Sequence, residues 1–152
     1  MPTQSLHLDI FQKVKSMGFN TVSFYVFWGI LEPKRGEISF EGFRDLQPWF
    51  DAAKQAGIYL MARPGERCSR VDTVAVWDLT FSLNKGPYIN AETSAGGFPG
   101  WGTYTPGLWR TSNTTYFDAW QNYVSSVGTI IAKNQITNGG PVILVQVFVP
   151  PL

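Results

Sequence analysis

A chain of 152 residues has room for one domain or for part of a larger one, and 44% hydrophobic residues with 15% aromatics can furnish a packed core. A formal net charge of +1 excludes the basic surface that nucleic acid requires and the acidic tail of a charge-driven partner. No apolar run approaches the roughly 20 residues of a membrane span.

Leu6, Ile10, Phe11, Val14 and Met17 recur at helical spacing, which predicts a first helix over residues 6–17 with Gly18 as its stop. His7 falls near its start and is expected on the surface. The β-branched and aromatic run Thr21–Val26 reads as a buried strand. Turns through Glu32-Pro33 and Arg35-Gly36 lead to a second helix, expected over Phe43–Ala56 with Phe43, Leu46, Phe50 and Ala53 inward and Gly57 closing it. Ile58–Ala62 is a second short apolar strand, ended by Arg63-Pro64-Gly65. A third helix is expected over Tyr116–Lys133, with Phe117, Trp120, Val124, Val127 and Ile131 inward, and Asn138-Gly139-Gly140-Pro141 turns into a third strand over Val142–Gln146.

Short apolar strands alternating with helices imply parallel pairing through crossovers. A (β/α)8 barrel and a doubly wound sheet both fit. The glycine-rich phosphate loop of a nucleotide-binding sheet is absent after the first strand. Three strands cannot close a barrel, and the long aromatic, polar loops follow strand C-termini, where barrel enzymes keep their sites. The expected fold is therefore α/β, a partial (β/α)8 barrel of about three parallel strands and three helices.

The densest chemistry lies in Gly86-Pro87-Tyr88-Ile89-Asn90-Ala91-Glu92 and the following Gly96-Gly97-Phe98-Pro99-Gly100-Trp101. An amide, a carboxylate, aromatic faces and glycines that permit close backbone approach suit a polyhydroxylated ring. The same loop also reads as an ordinary turn region. No His/Cys/Asp/Glu grouping has metal-ligand spacing, so neither metal nor cofactor is expected. The lone Cys68 cannot form an internal disulfide, and Asn113-Thr114-Thr115 matches a glycosylation acceptor by pattern. The N-terminus lacks the pattern of a signal peptide.

Gly18-Phe19-Asn20-Thr21-Val22-Ser23-Phe24-Tyr25-Val26-Phe27-Trp28 with Glu32-Pro33 resembles the second-strand motif of glycoside hydrolase family 35 β-galactosidases. Ala56–Gly65, Pro87–Glu92 and Gly96–Trp101 look like the family's next strand and loop, and Gln135–Leu144 resembles the approach to the strand after it. The likeness is to the fungal, secreted branch and covers residues 5–65 and 86–146. It implies a (β/α)8 domain that hydrolyses terminal β-galactosides with retention, using two Glu residues. It also implies galactose contacts from Tyr25, Asn90, Ala91 (through its backbone) and Glu92, and a parent enzyme that is secreted and monomeric. The family's acid/base and nucleophile both fall beyond the matched residues, so no catalytic residue is assigned here.

Two departures stand out. Residues 66–86 intervene where the family runs from arginine-proline-glycine directly into proline-tyrosine, and residues 147–152 replace the segment that carries the acid/base. Gly65-Glu66-Arg67 is encodable with a GT donor, Lys85 ends in an AG acceptor when encoded AAG, and Val147 begins with GT. Both departures are consistent with retained introns; a lineage-specific loop insertion is the rival for the first. The expectation is an inactive fragment of a β-galactosidase, the alternatives being a stand-alone galactose-binding module or another barrel glycosidase.

Several residues stay open between packing and function. Tyr25 is core by strand pattern and ligand contact by resemblance. Trp28 and Trp101 can pack or stack on sugar, and Glu32 can belong to the site's rim or to its turn. Arg63 at a strand end is expected to pair with a carboxylate.

Overall fold

A computed structural model describes residues 2–64, 99–104 and 114–146. Among the described residues β1 (Thr21–Tyr25), β2 (Tyr59–Arg63) and β3 (Val142–Val145) form a sheet in the order β1-β2-β3, all parallel. Four α-helices accompany it among the described residues: α1 (His7–Ser16), the single turn α2 (Trp28–Leu31), α3 (Gln47–Ala56) and α4 (Thr114–Lys133). This is the arrangement of a partial (β/α)8 barrel.

Strand register sorts the residues onto two faces. Thr21 lies opposite Tyr59, Ser23 opposite Met61 and Tyr25 opposite Arg63. Phe24, Leu60, Ala62 and Val142 are buried in the core that the helices share, whereas Ser23, Tyr59 and Leu144 are exposed. Alternation along a strand sends successive side chains to opposite faces, and the described helices pack on the face that carries Phe24, Leu60, Ala62 and Val142. A register shift between Leu60 and Met61 pairs Met61 with Leu144 and leaves Ile143 out of the regular pairing.

The covered face is densely aromatic. Trp49 of α3 packs against Phe11 of α1 at 4.3 Å between ring centroids and against Phe24 of β1 at 6.3 Å, and Phe50 meets Phe24 at 5.7 Å. Phe50 is fully buried, and withdrawing such a ring from water stabilises by about 1.5–3 kcal/mol.

Two expectations are corrected here. His7 is buried, not exposed: only 2% of it is accessible, its Nε2 lies 3.0 Å from the Pro2 carbonyl, and its ring stands edge-on to Trp49 at 4.9 Å. The one-sided spacing of α1 passes through residue 7, and the turn over Gln4–Leu6 folds the N-terminal segment onto it. The second correction is to the start of α3, which begins at Gln47 rather than Phe43. Gly42 sits at φ 58° in a separate turn over Gly42–Arg44, Asp45 is extended, and Pro48 belongs in a first turn because it has no N–H to give an interior position. Phe43 is consequently 72% exposed. The extra helix α2, which the spacing does not predict, starts from the Phe27 carbonyl, which accepts from the Leu31 amide at 3.3 Å.

The end of α3 follows the sequence closely. Gly57 adopts φ 68° and the Ile58 amide donates to Ala53 O at 2.9 Å, closing the helix and aiming the chain into β2.

Candidate functional site

The C-terminal ends of β1 and β2 bring Tyr25 and Arg63 side by side, as their register requires. Arg63 Nη1 donates to the Tyr25 hydroxyl at 2.6 Å, and the guanidinium carbon lies 4.4 Å from the centroid of the Tyr25 ring. Both side chains are half-buried. Phe27 runs nearly parallel to Tyr25, 5.9 Å away with 17° between the rings. The result is an aromatic wall edged by hydrogen-bond donors. Arg63 was expected to pair with a carboxylate; among the described residues its partner is the phenol instead, and its Nε is buried without a hydrogen-bond partner.

Beneath the wall lies a supporting layer that the sequence reading did not identify. Tyr123 of α4 is fully buried, with its hydroxyl 2.9 Å from Val26 O and 2.7 Å from Pro64 O. One hydroxyl thus holds together the backbones leaving β1 and β2, immediately after Tyr25 and Arg63. Its inward placement was legible, since Tyr123 stands beside Trp120 and Val124 on the apolar stripe of α4. Its hydroxyl partners come from segments distant in sequence and had no local signal.

Glu32 is 1% exposed, and its carboxylate accepts from Trp28 Nε1 and from the Gly36 amide at 2.6 Å. A buried carboxylate needs such donors to replace its hydration. The Glu32 carbonyl accepts from Trp101 Nε1 at 2.9 Å. Glu32 therefore organises the Trp28–Gly36 turn and anchors Trp101. Trp28 is 3% exposed between Tyr123, stacked at 5.7 Å, and Trp101, edge-on at 5.4 Å, so it is a packing residue. Trp101 keeps a partly exposed face with the Arg35 guanidinium 5.7 Å from its ring.

A cavity of about 140 Å³ adjoins the wall, lined by Tyr25, Phe27, Ile30, Phe43 and Arg44 among others. Of the residues predicted to contact a ligand, only Tyr25 lies within the described part. Asn90, Ala91 and Glu92 lie outside it, as do Cys68, Asn113, the 66–86 block and the 147–152 tail. Among the described residues no cluster of three or more His, Cys, Asp and Glu could hold a metal, and no helix is long and apolar enough to cross a membrane. The described residues set a guanidinium and a phenol beside a stacked aromatic pair. Among them no carboxylate is paired with Tyr25 or Arg63.

Comparison with known proteins gives consistent results. The family model described as Glycosyl hydrolases family 35 matches residues 1–69 and 69–148. Beta-galactosidase A of a Penicillium species and the beta-galactosidase of Aspergillus niger are each 53% identical over 146 residues, covering 96% of this chain. The probable beta-galactosidase A of Emericella nidulans is 52% identical over the same length. The chain spans 12% of the length of these relatives.

Proposed function

The chain belongs to glycosyl hydrolase family 35, and from that membership we propose that it forms part of the catalytic barrel of a β-galactosidase. The parent reaction is hydrolysis of terminal non-reducing β-D-galactosyl residues with retention, by two carboxylates that form and then break a covalent glycosyl-enzyme. The observation that carries this reading is identity of 52–53% across 96% of the chain with proteins named as β-galactosidases. The Tyr25–Arg63 pair at the strand ends supports it, because that is where barrel enzymes bind substrate.

In this reading Tyr25, Asn90, Ala91 and Glu92 line the galactose site, and the substrate is a β-galactoside. The catalytic pair comes from the larger part of the parent that these 152 residues do not span, so the chain alone does not turn over. The parent is a secreted monomer, as the fungal likeness implies. The 66–86 block interrupts the family sequence as a retained intron, and residues 147–152 depart from it for the same reason. That the two family matches meet at residue 69, inside the block, supports an interruption there.

The test pairs binding with turnover. Titrating the isotope-labelled chain with galactose is expected to move the Tyr25 and Arg63 resonances, with no release of nitrophenol from a nitrophenyl β-galactoside above a mock purification. Turnover by the purified chain overturns its assignment as inactive, and absence of binding removes Tyr25 from the sugar site. Binding by a cooperatively folded chain without turnover also fits a stand-alone galactose-binding module. Transcript and genomic sequence across codons 65–87 and 146–147 separates these: GT and AG boundaries identify introns, and their absence identifies an insertion.

A further inference from the structure

We propose that Arg63 is a positioning residue that sets the hydrogen-bond polarity of Tyr25, making the phenol a donor to a ligand oxygen. This rests on the reading of Tyr25 as a galactose contact. A guanidinium carries five N–H donors and no acceptor. Since Arg63 Nη1 donates to Tyr25 Oη at 2.6 Å, the phenolic oxygen accepts at that contact, and its own proton points elsewhere. The ring is held in this relation by the guanidinium over it at 4.4 Å, by Phe27 alongside at 5.9 Å, and by the Tyr25–Arg63 register of the two strands. The Val26 amide, which donates to Arg63 O at 3.2 Å, fixes the two backbones at the same level.

Among the described residues the pair therefore offers a ligand the Tyr25 O–H, with the guanidinium already committed to the phenolic oxygen. A corner of this kind recognises a sugar oxygen by its lone pairs and is indifferent to whether that oxygen bears a proton. Without Arg63, the phenol could accept from a sugar hydroxyl as readily as donate to it.

The test compares galactose with its deoxy and deoxyfluoro analogues at each hydroxyl, titrated into the full chain. Fluorine accepts weakly and cannot donate; hydrogen does neither. At one position the fluoro sugar is expected to bind roughly two- to fivefold more tightly than the deoxy sugar, with the preference lost in Tyr25→Phe. Arg63→Gln offers the phenol an acceptor and is expected to abolish the preference, whereas Arg63→Lys, a donor only, retains it. A merely structural role for Arg63 would weaken every ligand equally. Equal losses for fluoro and deoxy sugars at every position, with galactose still bound, overturn the polarity assignment and leave the sugar site standing. Failure of the wild-type chain to bind galactose overturns both. Should Arg63→Gln fail to fold, the wild-type, Tyr25→Phe and Arg63→Lys titrations decide the matter.

Discussion

The side-chain amides of Gln47 and Asn134, 87 residues apart, exchange two hydrogen bonds at 3.1 and 3.0 Å. The pair joins the first turn of α3 to the residue that follows α4. Asn134 is 7% exposed, and its Nδ2 also donates to Ile130 O at 3.0 Å. Its backbone carbonyl meanwhile accepts from the Val142 amide at 3.0 Å, at the entry to β3. One asparagine thus couples two helices to the third strand.

Asn134→Ala is expected to destabilise the fold by about 1–2 kcal/mol, because it removes three side-chain hydrogen bonds, two with Gln47 and one to Ile130 O. Gln47→Ala should cost about 1–2 kcal/mol, since it leaves the buried Asn134 Oδ1 without this donor while Nδ2 keeps Ile130 O. Urea unfolding of the two single variants and the double variant should give a coupling of about 0.5 kcal/mol or more. Strict additivity would show that the amide pair contributes nothing.

Gly140→Ala should be among the most damaging substitutions. A Cβ at this position would lie 2.0 Å from Asn134 O, a backbone atom with no freedom to withdraw. The expected loss is on the order of 4 kcal/mol or more, read as insolubility or a lost unfolding transition. Gly139→Ala next to it meets no atom within 4 Å and is strained only by its φ of 77°, so about 1–2 kcal/mol is expected.

Removing the Tyr123 hydroxyl tests the supporting layer directly. Tyr123→Phe keeps the stacked ring but leaves Val26 O and Pro64 O without that donor. A loss of about 1–2 kcal/mol by denaturant unfolding is expected, with faster amide exchange at Val26. Unchanged exchange there would show that the strand ends are held by other contacts.

Glu32→Leu should cost about 3 kcal/mol, because it leaves the buried Trp28 Nε1 and the Gly36 amide without their acceptor. Glu32→Gln keeps one acceptor oxygen and is expected to lose less than half as much. Trp fluorescence should report the same change, since Glu32 contacts both Trp28 and Trp101. Equal stability of all three proteins would contradict the anchoring role.

The corrected start of α3 makes a paired prediction. Phe43→Ser should fall within about 0.5 kcal/mol of the parent, as an exposed substitution does. Phe50→Ala should cost about 3–5 kcal/mol, as for a fully buried ring. A large loss at Phe43 would restore it to the core.

By itself the sequence determined the strands, the parallel α/β order and the family. Apolar runs such as Thr21–Tyr25 and Ile58–Ala62, and the periodicity of α4, are local patterns that neighbouring residues settle among themselves. Tyr25 and Arg63 were each legible as strand-end residues. The start of α3 was readable too, since Pro48 and Gly42 announce it, but the apolar spacing through Phe43 outweighed them. Only the tertiary structure decided which partners these residues take. Arg63 meets a phenol because parallel register sets Tyr25 opposite it, Glu32 is buried because Trp28, Gly36 and Trp101 converge on it, and His7 is enclosed because α1 packs on Trp49. Hydrogen-bond donors and acceptors have no spacing rule across distant segments. Their pairing follows from strand register and helix docking, which the whole chain sets at once.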